Sequence, residues 1–302
     1  MTAAPQTRGP AQDGDPPTPD VAIRKDRRAG RITFTRPQAL NALSRDMALA
    51  IDAALRAWRD DPEVALVIVD AEGDRAFCAG GDIAAVYRAG LAGDHDLGRA
   101  FFRDEYRMNA RIAGFPKPVV AFMQGFVMGG GVGVGGHASH RVVGDTTQIA
   151  MPESGIGLIP DVGGSWLLGH APGRIGEYLG LTAGRMGPGD AIHARFADHY
   201  LPEADWPALI DRLAETGDAH LVKGAPPPPA PLADADLSAF GGRTVGEIVE
   251  AAVLGWVETV CVDHPAFTRT MRGSNPPTFL AERARIDAIV AKVAAKRSRR
   301  GA

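Results

Sequence analysis

Two patterns of hydrophobic residues organise this chain. From Ser44 onward, Met47, Ile51, Ala54, Leu55 and Trp58 recur at three- and four-residue intervals, which predicts an amphipathic helix with Ser44 as its N-cap. Two other stretches, "ALVIVDA" (residues 65–71) and "PVVAFMQG" (118–125), are continuous apolar runs rich in β-branched residues, and predict buried strands. "RITFT" (31–35) predicts a further strand, and residues 99–112 a helix. "RVVGD" and "QIAMP" predict two short strands lying close together, with short strands paired in places. "GRIGEYLGLT" and "GDAIHARFA" predict helices. Strand and helix alternate along the chain, so the expected class is α/β.

The pattern fades at both ends. Residues 1–20 are poor in apolar side chains and rich in proline, glycine and charge. They bury too little surface to offset chain entropy and predict a disordered extension. Residues 21–222 form the expected core. The proline-rich "KGAPPPPAPLADAD" (223–236) predicts a linker, and residues 237–302 a helical C-terminal region ending in the basic "KRSRR". Cations at that point suit a solvated helix end.

Composition removes several classes of function. A net charge of −3 gives no support for a nucleic-acid partner. There is no apolar run long enough to span a membrane, no secretory core near the start, and acids where a transit peptide avoids them. Two cysteines, Cys78 and Cys261, suit a reducing cytoplasm and lack the spacing of a metal site. His137, His140 and His170 also lack metal-ligand spacing and read as structural or surface residues. No metal or redox cofactor is expected.

The candidate chemistry lies in two glycine clusters, "FCAGGDI" (77–83) and "GFVMGGGVGVGG" (125–136), each following a predicted strand. Glycine lets another group approach backbone N–H groups closely, and two such turns facing one another supply two donors to one oxygen. Two other readings stay open for the second cluster. Gly131, Gly133 and Gly136, with Glu153 about 20 residues on, match a dinucleotide-binding spacing. Close packing of a buried helix is the other. Downstream, "MPESGIGLIPDVGG" (151–164) places Glu153 and Asp161 in apolar, glycine-rich sequence, where charged residues are seldom found unless paired or used.

Taken with "RPQALNALS", these motifs resemble the crotonase (enoyl-CoA hydratase/isomerase) superfamily over about residues 31–202. "FFRDEYRMN" and the aspartate of "IPDVGG" resemble its 3-hydroxyisobutyryl-CoA hydrolase branch. The resemblance implies a spiral of ββα units with a helical C-terminal part. It also implies an acyl-CoA substrate, so that coenzyme A enters with the substrate and no separate cofactor is needed; a homo-oligomer is left open. Gly81 and Gly130 would be the oxyanion donors, Glu153 and Asp161 the catalytic acids, and Glu105 a substrate-binding acid. One glutamate of the hydratases falls on Gly133. That favours hydrolysis of a short acyl-CoA thioester, 3-hydroxyisobutyryl-CoA in valine degradation, over an enoyl-CoA hydratase or isomerase or a catalytically weak acyl-CoA-binding paralogue. The segment from "SNPPTF" onward does not match the branch's ending.

Overall fold

A computed structural model describes residues 20–235, together with the backbone of residues 239–240 and 243–244. The predicted disordered extension (1–20), apart from Asp20, and nearly all of the predicted helical region (237–302) lie outside the described residues. Where the latter is described, β10 (Ala239–Phe240) and β11 (Arg243–Thr244) pair antiparallel, and the residues expected to be helical beyond them lie outside the described residues.

The core begins with β1 (Val21–Asp26), β2 (Ala29–Phe34), α1 (Arg45–Trp58), β3 (Leu66–Ala71) and β4 (Ala76–Cys78). It continues through α2 (Ile83–Leu91), α3 (His95–Ala113), β5 (Val119–Met123), β6 (Phe126–Met128) and α4 (Gly130–Gly135). Then come β7 (His140–Val143), β8 (Gln148–Ala150), α5 (Gly164–His170), α6 (Ile175–Thr182), α7 (Pro188–His193), β9 (His199–Tyr200) and α8 (Trp206–Thr216). A six-stranded sheet runs in the order β1-β2-β3-β5-β7-β9, and a three-stranded sheet in the order β4-β6-β8. Only β1–β2 is antiparallel within them. The chain thus repeats one circuit: a strand in the large sheet, a strand in the small sheet, then helix. Repetition of that circuit makes a spiral of ββα units.

The apolar runs are continuous because both faces of the large sheet are covered. Val67 and Val69 of β3, with Val119 and Ala121 of β5, face the main core with α1 and α4. Leu66, Ile68, Val120 and Phe122 face the other way, onto Trp206, Ile210 and Leu213 of α8. In α1, Ser44 Oγ accepts from the Met47 N–H at 3.2 Å, and the predicted apolar face is buried. Trp58 covers Gly30 so closely that a Cβ there would lie 2.6 Å from its Cδ2.

The structure adds detail that the sequence patterns do not carry. β7 and β8 are close in sequence but not paired. β7 joins β5 in the large sheet and β8 joins β6 in the small one. The reason is the turn between them: the Gly144 N–H donates to Thr147 Oγ1 at 2.8 Å, and Thr147 Oγ1 donates to the Met123 carbonyl at 2.6 Å, turning the chain from one sheet to the other. The second glycine cluster is likewise more than one turn, since it holds β6 and then α4. The proline-rich segment lies against α7, with the Leu232 N–H donating to Asp190 at 2.9 Å.

Two charge pairs lock α3 to α1. Arg45 meets Asp104 at 2.8 Å, and Asp52, 7% exposed, takes Arg111 at 2.5 Å and Arg56 at 2.6 Å. Removing one partner from such a cluster strands the others' charge. We expect Asp52→Ala to lower unfolding stability in urea by about 2–3 kcal/mol, and Asp52→Ala/Arg111→Met to recover part of the loss.

Candidate active site

Five residues singled out in the sequence, Gly81, Gly130, Glu105, Glu153 and Asp161, line one cavity. Each arrives on a different piece of the spiral. Gly81 follows β4, and Gly130 opens α4 just after β6. Glu105 projects from the middle of α3, Glu153 opens a 3-10 turn after β8, and Asp161 precedes α5. Ile83, Phe101, Phe102, Ile156, Leu158 and Val162 supply apolar wall.

The backbone donors are close together and unused. The Cβ that Gly130 lacks would lie 3.1 Å from the Gly81 nitrogen and 2.7 Å from Glu105 Oε1. The parallel bridge between Leu43 and Gly81 uses the Asp82 N–H and the Gly80 carbonyl, and leaves the Gly81 N–H outside it. Gly130 lies in the first turn of α4, where an N–H has no partner within the helix. Among the described residues neither N–H has an acceptor. Gly129, at φ +47°, is required for this approach, because a Cβ there would sit 2.7 Å from Glu153 Oε1.

Glu105 and Glu153 are buried, Asp161 is half-buried, and the three are mutually unfavourable. Glu105 is 2% exposed and Glu153 5% exposed. Glu105 Oε1 and Glu153 Oε2 have no hydrogen-bond partner among the described residues. Desolvation raises the Glu105 carboxyl to about 8, with further push from Asp161 and Glu153. Desolvation raises Glu153 to about 7, opposed by a hydrogen bond from its own backbone and aided by Asp161. Asp161 is also raised by desolvation, while a hydrogen bond from Tyr106 favours its ionised form. That bond runs from the Tyr106 hydroxyl to Asp161 Oδ2 at 2.6 Å. At neutral pH these shifts favour the protonated form of Glu105 and leave Glu153 close to its midpoint.

Gly133 is as informative as the acids. A Cβ there would lie 2.7 Å from the Asn109 amide nitrogen and 2.9 Å from Val162 Cβ. The Asn109 amide, 4% exposed, occupies the space into which a side chain at 133 would grow. Its nitrogen and oxygen both lack partners among the described residues. Sequence reasoning missed Asn109 and Tyr106. Asn109 follows Glu105 by one helical turn, so spacing offered a signal for it. Nothing local in the sequence reveals that Tyr106 reaches Asp161. Cys78 is a buried thiol: burial pushes it up to about 12 and its Sγ lies 3.6 Å from the Gly80 carbonyl oxygen. Among the described residues no group of three or more His, Cys, Asp or Glu side chains is placed to hold a metal.

The spiral places the facing glycine turns and the acids at one cavity, and residues 29–236 match the enoyl-CoA hydratase/isomerase family model; the chain belongs to that family. It is similar to the mitochondrial 3-hydroxyisobutyryl-CoA hydrolase of Xenopus tropicalis, 48% identical over 61% of this chain and 48% of the relative. It is also similar to the Xenopus laevis protein of that name, 43% identical over 74% of this chain and 62% of the relative. The chain spans about half the length of most curated relatives it matches. Among solved structures, an enoyl-CoA hydratase from Rhodobacter sphaeroides 2.4.1 is 51% identical, with a TM-score of 0.71 over 91% of this chain and 74% of that one. A carnitinyl-CoA dehydratase from Mycobacterium thermoresistibile is 39% identical, with a TM-score of 0.70 over 78% and 70%. The expected family and fold are thereby established.

A carboxyl whose folded pKa is raised contributes stability that is fully present below its unfolded pKa and is lost as pH rises to the folded value. For Glu105 that window runs from about 4.5 to about 8. We expect the melting temperature of Glu105→Gln, relative to wild type, to shift upward by several degrees between pH 5 and pH 8 in parallel thermal scans.

Proposed function

We propose that this protein hydrolyses a short-chain acyl-CoA thioester, with 3-hydroxyisobutyryl-CoA as substrate and 3-hydroxyisobutyrate and free CoA as products, a step of valine degradation. The observation that carries the reading is the grouping of Glu105, Glu153 and Asp161 at one cavity with two unused backbone N–H groups, and no space for a side chain at position 133. The names of the hydrolase relatives point the same way.

In this reading the thioester oxygen accepts from the N–H groups of Gly81 and Gly130 and becomes an oxyanion as water attacks the carbonyl carbon. Each donor of this kind lowers the barrier by about 3 kcal/mol. Glu153 takes a proton from the attacking water. The C–S bond then breaks, and the proton passes to the departing CoA sulfur, leaving the acid and the free thiol. Asp161, anchored by Tyr106, orients or relays that transfer. Glu105, protonated near neutral pH, donates to the hydroxyl of the acyl group. Coenzyme A enters as part of the substrate, and no cofactor has a step here.

The hydratase and dehydratase names of the similar solved structures favour a second reading, addition or removal of water across an enoyl-CoA. The blocked position 133 weighs against it, because Glu153 lacks a glutamate partner there. Cysteine usage suggests a cytoplasmic setting, whereas "mitochondrial" in the relatives' names belongs to those proteins. Among the described residues, no helix is long and apolar enough to cross a membrane.

Free-thiol release from 3-hydroxyisobutyryl-CoA, read beside enoyl absorbance, separates the two reactions. A change in enoyl absorbance without thiol release would sink the hydrolase reading. Glu153→Gln should lower thiol release by about 100-fold or more while circular dichroism is unchanged. The pH profile of kcat/KM should rise through about 7, as Glu153 loses the proton that blocks it as a base, and fall above about 8, as Glu105 loses the proton it donates.

A further inference from the structure

The turn that carries Asp161 adopts an unfavourable conformation. Residues 161–164 form a tight turn closed by the Gly164 N–H donating to the Asp161 carbonyl at 2.6 Å. Its two central residues are left-handed, Val162 at φ +48° and Gly163 at φ +78°. Glycine suits that conformation, whereas a β-branched residue such as valine is a true outlier in it. Such strain persists only where the surroundings impose it, and it gathers at functional sites.

One side chain holds this turn from behind. His137, just beyond α4, places Nε2 2.7 Å from the Val162 carbonyl oxygen. Its ring also lies against Gly163, so closely that a Cβ there would collide with Nε2. Desolvation lowers the His137 pKa, so the ring is neutral at pH 7, and donation to that carbonyl fixes its single proton on Nε2. Val162 lines the cavity that holds the acids, whereas the ring of His137 borders a separate outer cavity with Trp166, His170 and Arg195. Asp161 is thus held from two sides, by Tyr106 on its carboxylate and by His137 through the backbone of the next residue.

We infer that His137 is a positioning residue, which keeps Val162 left-handed and thereby aims the Asp161 carboxylate at Tyr106 and the cavity. It touches no reacting atom. The inference rests on the hydrolase reading only for its kinetic arm. The structural arm stands without it.

His137→Phe keeps an aromatic ring and removes the donor. In that variant kcat for thiol release should fall about 10- to 100-fold with KM nearly unchanged, as expected when a reacting group is misaimed. Adding Val162→Gly, which tolerates the left-handed turn without support, should restore much of the loss. His137→Gln, which retains an N–H donor, should stay nearer to wild type than His137→Phe. The arm independent of turnover is the Tyr106–Asp161 hydrogen bond, read at neutral pH from the Tyr106 signals in NMR of ring-labelled tyrosine. The hydroxyl donates to Asp161 at 2.6 Å, so the ring signals should shift once Asp161 swings away in His137→Phe. A folded His137→Phe with kcat within about twofold of wild type, equal losses in the Phe and Gln variants, or unmoved Tyr106 ring signals would overturn the assignment. Absence of thiol release from the wild type would instead overturn the hydrolase reading and leave the Tyr106 result to decide this one.

Discussion

The close approach of α4 to its neighbours is the constraint on which the rest of the site depends. A six-residue helix made only of glycine and valine has little intrinsic helical tendency, and it forms because it is buried on every side. A Cβ at Gly131 would strike the Cys78 carbonyl, and one at Gly135 would lie 2.5 Å from Met123 Sδ. At Gly130 and Gly133 the same closeness admits Glu105 and Asn109 from α3. Any side chain in place of these glycines would push α4 outward. The Gly130 N–H would move away from Gly81, and Glu105 would lose the wall against which it is buried.

That burial sets the electrostatics. Carboxyls usually gain from folding by finding a cation or a donor, and Asp52 and Asp104 do so on the far side of α3. Glu105 and Glu153 meet apolar walls and another acid instead, and their unpartnered oxygens leave desolvation uncompensated. The protein tolerates this cost at one place and offsets it with a doubly covered sheet and with the charge pairs between α1 and α3. An arrangement that lowers stability at neutral pH is what places two carboxyls within reach of proton exchange there.

The α/β class, α1 with its cap, and the buried strands β3 and β5 were legible because their periodicity is local. The candidate site was legible as motifs, since "FCAGGDI", "GFVMGGGVGVGG" and "MPESGIGLIPDVGG" each hold one of its parts. What escaped was everything set by circuits of the spiral. β7 and β8 are neighbours in sequence and members of different sheets, a fact decided by where β5 and β6 already lie. β1 is half polar and has no apolar pattern of its own, so only its pairing with β2 reveals it as a strand. α2 has no fully buried residue, so its pattern gave little to detect. Tyr106 meets Asp161 across 55 positions of sequence, and His137 meets Val162 across 25, distances at which no pattern reports a contact.

Asp104, Glu105 and Tyr106 are consecutive on α3, so their side chains leave the helix about 100° apart. One reaches out to Arg45 on α1, one into the cavity, and one across to Asp161. The helix is therefore keyed like a shaft in a lock. A rotation that improved any one of the three contacts would spoil the other two. Drift in the packing of α1 against α3, outside the cavity, would reach the candidate site as an angular error at three places together.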